Sequence, residues 1–400
     1  MKDTHKALTI ALASRILIII VMLVSSFLFM YATTEHMNVN EMNTPIIGIF
    51  MRWDSEYYLN IAKNGYPLGY PNVNTFPKTT SSGSPMPKTI AYPQWAFFPL
   101  YSAVMAALTL VFTPFLSLTP SSMLSGVIIS NISFFVSAYF FYKLTQKLFN
   151  SRVALISTAF YSFWVGGVFF SAIYSEALFM ALALGAFYYL EENELPKAIF
   201  LGFLASFTRS DGFLIFIPFL IYGLLQLKTS KVQSLKLFFS SAVVASPYLL
   251  WSIVGYFLAG GVFPVQVVAH NSNWGIDPPL IDQFVAPWCS IHIFQLFYIT
   301  ALIIMLIPTA YFFIRIKKIF TVEAKTLGYW AFYASMLYVV FTVSFVYSIM
   351  RFAVTMLPIF WVSAKIYTKN RVTGIVLFGV MTVMLIIGAY LLETNSAYFM

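Results

Sequence analysis

The chain alternates long apolar runs with short polar segments along most of its length. A helix needs about 20 apolar residues to cross the hydrocarbon core of a bilayer. Membrane-spanning helices are therefore predicted at residues 8–32, 122–147, 153–170, 174–190, 196–209, 212–227, 236–259, 291–314, 327–347, 352–368 and 372–391. This pattern predicts an all-α, polytopic membrane protein with about eleven transmembrane helices, in a single domain over residues 1–400.

Composition agrees with this class of fold. Of the 400 residues, 60% are hydrophobic and only 9% are charged, far fewer charges than a soluble domain of this length carries. The run 8–32 is too long for the apolar core of a signal peptide and no small-residue cleavage site follows it, so we expect a retained first span. The one cysteine, Cys289, excludes an internal disulfide framework.

The formal charge of +9 is carried by small basic clusters between the apolar runs. Such clusters indicate the cytosolic side of a membrane and give no reason to expect nucleic-acid binding. Most of the 23 lysines and arginines fall on one side only if the apolar run 96–116 does not cross. We therefore expect a juxtamembrane or re-entrant helix there, with a cytosolic N-terminus and a lumenal C-terminus.

Two long polar segments are expected on the lumenal side, at about 33–121 and about 260–290. The first should carry an amphipathic helix near 43–64 ahead of the juxtamembrane helix. Elsewhere, the short runs 196–209 and 212–227 meet at a polar turn. A pair of half-length helices predicts a break that lines a polar cavity within the membrane.

The predicted topology gathers charged residues from distant segments at the lumenal rim of the bundle. Charges cost several kcal/mol at bilayer depth, so those held near it are functional candidates. The set consists of Arg52, Asp54, Glu56, Glu176, Arg209, Asp211, Asp277, Asp282 and Arg351. Four further acids are expected to be solvated in cytosolic loops, namely Glu191, Glu192, Glu194 and Glu323.

Asp54 has the strongest claim to catalysis in this set. A carboxylate at the membrane edge can take a proton from an acceptor hydroxyl while a lipid-bound donor lies beside it. Glu56 is two residues away and points elsewhere on a helix, which favours a solvated contact with Lys63. The alternative for the whole segment 51–66 is an amphipathic helix that only lies on the lipid headgroups.

Glu176 and two arginines have structural as well as functional interpretations. Glu176 opens a predicted helix, where the macrodipole favours an acid and Ser175 is a candidate cap, so helix stabilisation competes with acceptor binding. Arg209 and Arg351 are lone cations at the lumenal ends of apolar segments. Arginine binds phosphate through two parallel hydrogen bonds, so a lipid phosphate explains both; the alternative is that each side chain reaches to headgroups.

Motifs for several other chemistries are missing from the sequence. It has no phosphate-binding loop of the NTPase type, no dinucleotide-binding glycine motif and no zinc-protease helix motif. Its four histidines are scattered, which gives little support for a metal site. ATP-driven transport, dinucleotide chemistry and zinc-dependent hydrolysis therefore have no support.

Several stretches resemble one known family of membrane enzymes. They lie at 52–66, 95–101, 169–179 and 201–212, and are followed by Gln266 and the triplet Asn273-Trp274-Gly275. Taken in this order, they resemble the PIG-V family, the group of GPI mannosyltransferase 2 and its prokaryotic relatives, which has the GT-C glycosyltransferase fold. The resemblance covers the chain as far as Gly275.

The resemblance implies an inverting mannosyltransferase that uses a polyprenyl (dolichyl) phosphate mannose donor, a glycolipid acceptor and no nucleotide sugar. It implies that Asp54 is the catalytic base, while Arg351 and Arg209 are expected to bind the donor phosphate. Other residues expected to bind the acceptor or line the active site are Arg52, Glu176, Asp211, Gln266 and Trp274. No cofactor is implied, because arginines that hold the phosphate make a metal ion dispensable. The sequence does not exclude a metal ion.

Two departures from the family pattern bear on the acceptor. The loop between 65 and 95 is longer and more polar than expected, and Asp211 stands where a small or amide residue is expected. A eukaryotic source would imply the endoplasmic reticulum, the second mannose of the GPI anchor and a small membrane subunit as partner. A prokaryotic source would imply the plasma membrane and a cell-surface glycolipid. In both cases the active site is expected on the lumenal or extracytoplasmic face.

A different class of function fits the same charges. A lipid or solute transporter or flippase, without transferase activity, could use them to line a substrate path. Such a protein is expected to contain inverted internal repeats, and the hydropathy pattern contains none. A scaffold partner without catalysis is a third alternative, against which the intact Asp54 argues.

Overall fold

A computed structural model describes residues 2–32, 45–69, 71, 91–273, 293–321, 323–342 and 349–393. Within these ranges every regular element is helical. The α-helices are α1 (Lys2–Ala32), α2 (Pro45–Gly48), α3 (Asp54–Asn64), α4 (Pro99–Phe112), α5 (Leu118–Leu148), α6 (Ser151–Ser162), α7 (Glu176–Glu191), α8 (Leu195–Ser206), α9 (Phe216–Gln226), α10 (Lys231–Leu258), α11 (Val265–Asn273), α12 (Ile293–Thr321), α13 (Leu327–Thr342), α14 (Ile349–Ala353), α15 (Leu357–Lys369) and α16 (Arg371–Glu393). Short 3₁₀ helices lie at Pro93–Ala96, Val165–Phe170, Ser210–Ile215 and Ala324–Thr326.

Five described helices are long and apolar enough to cross a bilayer, namely α1, α5, α10, α12 and α16. They make the chain an integral membrane protein of the all-helical class. The helices α6 to α9 have between 11 and 16 residues each, which is short for a straight crossing. The count of about eleven crossings and the lumenal placement of the first loop therefore stay predictions.

The predicted break between the half-length helices is present in the structure. The helix α8 ends at Ser206, a 3₁₀ helix follows at Ser210–Ile215, and α9 begins directly after it. Ser206 donates its hydroxyl hydrogen to the Gly212 carbonyl at 3.0 Å, which closes the turn. Arg209 and Asp211 in this turn are both buried, and Arg209 contacts Glu176 at the start of α7.

Within the predicted segment 43–64, the described residues 45–64 form two short helices, α2 and α3, instead of one amphipathic helix. One face of α3 packs on α4 and α5, with Tyr58, Leu59 and Ile61 buried. The opposite face, which carries Glu56, is exposed. The helix is therefore docked on the bundle, and lying on headgroups alone does not describe it.

A fully buried cation, Arg15, lies in the middle of α1 and was not singled out by the sequence. Its guanidinium donates to the carbonyls of Gly167 at 2.7 Å and Ser162 at 3.2 Å, and to the Ser171 hydroxyl at 3.1 Å. It also stacks on the Phe134 ring at 3.9 Å. Because these acceptors run from the last residue of α6 to the segment before α7, Arg15 fixes the connection that leads into α7.

The expectation that Glu191 is solvated is wrong. This residue ends α7, at the opposite end of the helix from Glu176, and it is buried. Its carboxylate accepts a hydrogen bond from the Tyr329 hydroxyl at 2.8 Å and another from Tyr222. The tyrosines come from α9 and α13, so the contact ties three helices together. Glu192 does fit the expectation, since it forms a half-exposed pair with Lys147 at 2.8 Å.

Candidate active site

Five charged residues of alternating sign form one ionic network at the end of the bundle where α3 and α7 begin. Arg351 donates from Nη1 to Asp54 and from Nε to Glu176. Arg209 donates from Nη1 to the same Oε1 of Glu176, and from Nε to Asp211 at 2.9 Å. The order is therefore Asp54, Arg351, Glu176, Arg209, Asp211, and the three carboxylates and two guanidinium groups leave a formal charge of −1.

Helix starts hold all three carboxylates of the network. Asp54 is the first residue of α3, Glu176 is the first residue of α7, and Asp211 lies in the first turn of a 3₁₀ helix. The positive end of a helix macrodipole favours an anion in this position. The local sequence thus stabilises each acid where it stands, and the pairing with arginine is added by the tertiary fold.

Arg351 is placed by the docking of α14 on the turn after α6. The Trp164 indole donates from Nε1 to the Met350 carbonyl at 3.0 Å. At Gly166 a Cβ atom would overlap that same carbonyl oxygen, so only glycine permits this close approach. Tyr174 also contacts Arg351, with its ring centre 4.7 Å from the guanidinium.

Asp54 is placed by a strained backbone. Trp53, the residue before it, has φ 45° and ψ −107°, a conformation that a bulky side chain rarely adopts. Two hydrogen bonds to the preceding carbonyl hold this turn in place. The Tyr174 hydroxyl donates to the Arg52 carbonyl at 3.0 Å, and the Ser55 amide donates to the same carbonyl at 3.1 Å. Strain of this kind persists where the surrounding structure imposes it, and such positions cluster at functional sites.

The two ends of the network differ in exposure. The side chains of Glu176 and Arg209 are 1% and 6% exposed, whereas those of Arg351 and Asp54 are 14% and 23% exposed. Asp211 is buried with Arg209. Only the Asp54 end is therefore open to a ligand, and the rest of the network supports it from below.

Tyr58 connects α3 to the start of α7. Its hydroxyl shares a hydrogen bond with the Ser175 hydroxyl at 2.7 Å. Burial, followed by the charge of Glu176, raises the pKa of Tyr58, so this phenol stays neutral. Ser175 makes no side-chain cap on α7, and the expectation of a Ser175 cap is wrong because its hydroxyl is taken by Tyr58.

The remaining candidate residues have other described partners. Arg52 donates to the carbonyls of Gly48 at 3.1 Å and Met51 at 2.9 Å. Gln266, buried on α11, exchanges hydrogen bonds with Ser252 on α10 at 2.8 and 3.1 Å. Trp274 lies outside the described residues, as do Asp277 and Asp282. No role for these residues follows from the contacts.

His270, on α11, was set aside in the sequence as one of several scattered histidines. Burial lowers its pKa, and Asn271 and the charge of Asp54 oppose that shift. The negative charge of Asp54 therefore acts on His270 in the direction opposite to burial. Among the residues that the structure describes, no group of three or more histidines, cysteines and acids is arranged to hold a metal ion.

Together these features define a class: a helical integral membrane protein with a buried ionic site at one end of its bundle. The particular family follows from sequence comparison. A model of the family described as Mannosyltransferase (PIG-V) matches residues 6–304. The chain belongs to this family, and the resemblance found in its motifs is confirmed.

Individual relatives carry the name GPI mannosyltransferase 2. The protein of Schizosaccharomyces pombe is 26% identical over 191 residues, which are 46% of this chain and 34% of that protein. That of Drosophila melanogaster is 29% identical over 196 residues, or 44% of this chain and 37% of that protein. That of Aspergillus fumigatus is 23% identical over 285 residues, or 66% and 51%. The chain thus spans about a third to a half of the length of these relatives.

Among solved structures, the chain is similar to the oligosaccharyltransferase of Archaeoglobus fulgidus. The apo form gives a TM-score of 0.42 at 13% identity, over 94% of this chain and 55% of that chain. The complex with an inhibitory peptide and a dolichol-phosphate gives 0.43 at 12% identity, with the same coverage of 94% and 55%. The family assignment rests on the sequence match and not on these scores.

Proposed function

We propose that this chain is a mannosyltransferase that moves mannose from a polyprenyl phosphate mannose donor to a hydroxyl of a glycolipid acceptor, with inversion. Family membership supports the sugar and the class of reaction. The observation that carries the proposal is the pair of Asp54 and Arg351 at the open end of the ionic network. The pair combines a carboxylate with a cation of the kind that binds phosphate, and the proposed reaction uses both groups.

In the proposed reaction the acceptor oxygen attacks the anomeric carbon of mannose while the bond from that carbon to the phosphate oxygen breaks. Asp54 takes the proton of the acceptor hydroxyl, and polyprenyl phosphate leaves with the bonding electron pair. A phosphodiester with one negative charge thereby becomes a monoester with roughly 1.5 to 2 negative charges. Contact with Arg351 therefore strengthens toward the transition state, which raises kcat rather than ground-state affinity alone.

The two arginines receive different roles in this proposal. Arg209 is buried between Glu176 and Asp211, so both its neighbours already neutralise it. Arg351 is more exposed and reaches the open end of the network. We therefore assign the phosphate contact to Arg351, and assign Arg209 to holding Glu176, which in turn contacts Arg351. No step is assigned to a metal ion or to a nucleotide.

The acceptor is proposed to enter from the side of α11, where Gln266 lies, and Trp274, the residue after this helix in sequence, is proposed to take part. The charge of Asp54, which opposes the effect of burial on the pKa of His270 in the same helix, supports this approach. The placement of basic clusters supports a lumenal or extracytoplasmic active site. A eukaryotic enzyme would then act on a GPI precursor in the endoplasmic reticulum, and a prokaryotic one on a cell-surface glycolipid.

The proposal is tested in proteoliposomes given polyprenyl phosphate mannose labelled in the sugar, with a membrane glycolipid extract as acceptor. Wild-type protein is expected to form labelled glycolipid, and Asp54→Asn to lower the rate about 1,000-fold because the base is lost. Glu56→Gln is the matched control, since Glu56 is exposed on the same helix, and it should keep its activity.

Two results would contradict the proposal. Full activity of Asp54→Asn would overturn the assignment of the base. Movement of labelled donor across the membrane without formation of any mannosylated product would instead favour a transporter.

A further inference from the structure

Building on the proposed function, we infer that Asp54 and the donor phosphate compete for Arg351, so that the donor itself releases the base. In the described network Asp54 is bound to the Arg351 guanidinium. That contact holds the carboxylate at the guanidinium and occupies one of its oxygens, Oδ2. Release from Arg351 frees both oxygens of Asp54 to meet an acceptor hydroxyl.

The guanidinium of Arg351 has one fixed edge and one exchangeable edge. Its Nε donates to Glu176, whose side chain is 1% exposed and also holds Arg209. Glu176 cannot leave without stranding two cations in apolar surroundings. The Nη1 group faces Asp54, whose side chain is 23% exposed. An incoming anion can therefore displace Asp54 and cannot displace Glu176.

Charge and geometry both favour a phosphodiester as the incoming anion. It carries one negative charge, as Asp54 does, so the exchange leaves the charge of the network unchanged. Two phosphate oxygens can accept parallel hydrogen bonds from an arginine, a pairing that is stronger than a single contact. The Tyr174 ring, 4.7 Å from the guanidinium, keeps the plane of Arg351 in place during the exchange.

The exchange makes donor binding a condition for deprotonation of the acceptor. Without donor, the Asp54 carboxylate stays paired and an acceptor that enters alone meets no free base. With donor, the phosphate occupies Arg351, and Asp54 is released beside the anomeric carbon that the phosphate carries. The donor is thus expected to bind before the acceptor is activated.

Binding of farnesyl phosphate to the purified full-length protein in lipid nanodiscs tests the competition. Asp54→Asn removes the competing charge and should tighten Kd about fivefold. Glu56→Gln removes a carboxylate from the same helix without touching Arg351, and should leave Kd within about twofold. Farnesol, which lacks the phosphate, should bind both variants and the wild type equally. A gain in affinity also shows that the variant is folded.

The outcomes separate this inference from the proposed function. If Arg351→Met abolishes binding while Asp54→Asn binds as the wild type does or more weakly, the competition is refuted and the phosphate site stands. Equal gains for Asp54→Asn and Glu56→Gln would also refute it, since they would reflect net charge alone. If Arg351→Met binds farnesyl phosphate normally, the proposed phosphate site is itself wrong.

Discussion

Two largely buried arginines in this protein, Arg15 and Arg351, have their guanidinium groups satisfied by different kinds of hydrogen-bond acceptor. Arg15, inside α1, is surrounded by apolar side chains and finds its acceptors in two backbone carbonyls and a hydroxyl. Arg351, at the end of the bundle, finds its acceptors in the carboxylates of Asp54 and Glu176. Each guanidinium also faces an aromatic ring, Phe134 for Arg15 and Tyr174 for Arg351.

The difference lies in whether the acceptors can be exchanged. The carbonyls around Arg15 belong to the end of α6 and to the segment that follows it, so moving them means unfolding that part of the backbone. Asp54 is a partly exposed side chain, so a rotation about its own bonds is enough to release it. Neutral, fixed acceptors suit a structural cation, and a charged, movable acceptor suits a cation that meets an anionic ligand. Substitution by lysine should therefore lower mainly activity at Arg351 and mainly stability at Arg15.

Arg351→Lys should give the largest effect in this comparison, a loss of transfer activity of about 100-fold. Lysine keeps the charge but cannot bind the phosphate through two parallel hydrogen bonds while holding Glu176. Thermal stability of the purified protein should fall less than activity, because lysine keeps a positive charge beside the buried Glu176 carboxylate. Arg371→Lys, at an exposed position, is the control in the same transfer assay. Equal activity of the two variants would remove Arg351 from the phosphate site.

Arg15→Lys should instead lower stability by about 2 kcal/mol and leave the activity of the folded fraction near the wild-type level. Lysine cannot reach the carbonyls of Gly167 and Ser162 together in the geometry that the guanidinium uses. Thermal unfolding in detergent, with activity normalised to folded protein, measures both quantities. Arg315→Lys, exposed on α12, should leave stability unchanged. A large loss of kcat at normal stability would contradict the structural role of Arg15 and indicate a role in activity.

Tyr58→Phe tests the link between the two centres and should give the smallest effect, a loss of about 1 kcal/mol in stability. The variant removes the hydrogen bond to Ser175, which joins α3 to the segment that Arg15 fixes. Activity should fall less than about threefold, since the ionic contacts of Asp54 remain. Tyr256→Phe, at an exposed position, is the matched control. A drop comparable to that of Arg351→Lys would show that Asp54 depends on Tyr58 for its position.

From the sequence, nine charged residues were expected at one rim of the membrane. Five of them, Asp54, Glu176, Arg209, Asp211 and Arg351, join one network in the structure. Charge counting does not give the order of pairing, which depends on helix ends up to 297 residues apart in sequence. Charge counting therefore could not predict that Arg209 is the more buried of the two arginines and Arg351 the more exposed.

The role of Arg15 and the burial of Glu191 could not be predicted for a related reason. The carbonyl that Arg15 contacts at Gly167 is 152 residues away and belongs to the backbone, which has no side-chain signature. Glu191 pairs with tyrosines of two other helices, and tyrosine in an apolar run is equally typical of a lipid interface. In both cases the partner is a group that sequence patterns do not distinguish.

The packing of Gly166 against the Met350 carbonyl has a consequence for genetics. Any side chain at this position would push α14 outward and carry the guanidinium of Arg351 away from both of its carboxylates. A mutant allele at a residue with no functional group would then mimic the loss of a charged residue of the ionic network. In a collection of loss-of-function alleles, substitutions of Gly166 would appear together with those of Asp54 and Arg351, although glycine has no reactive side chain.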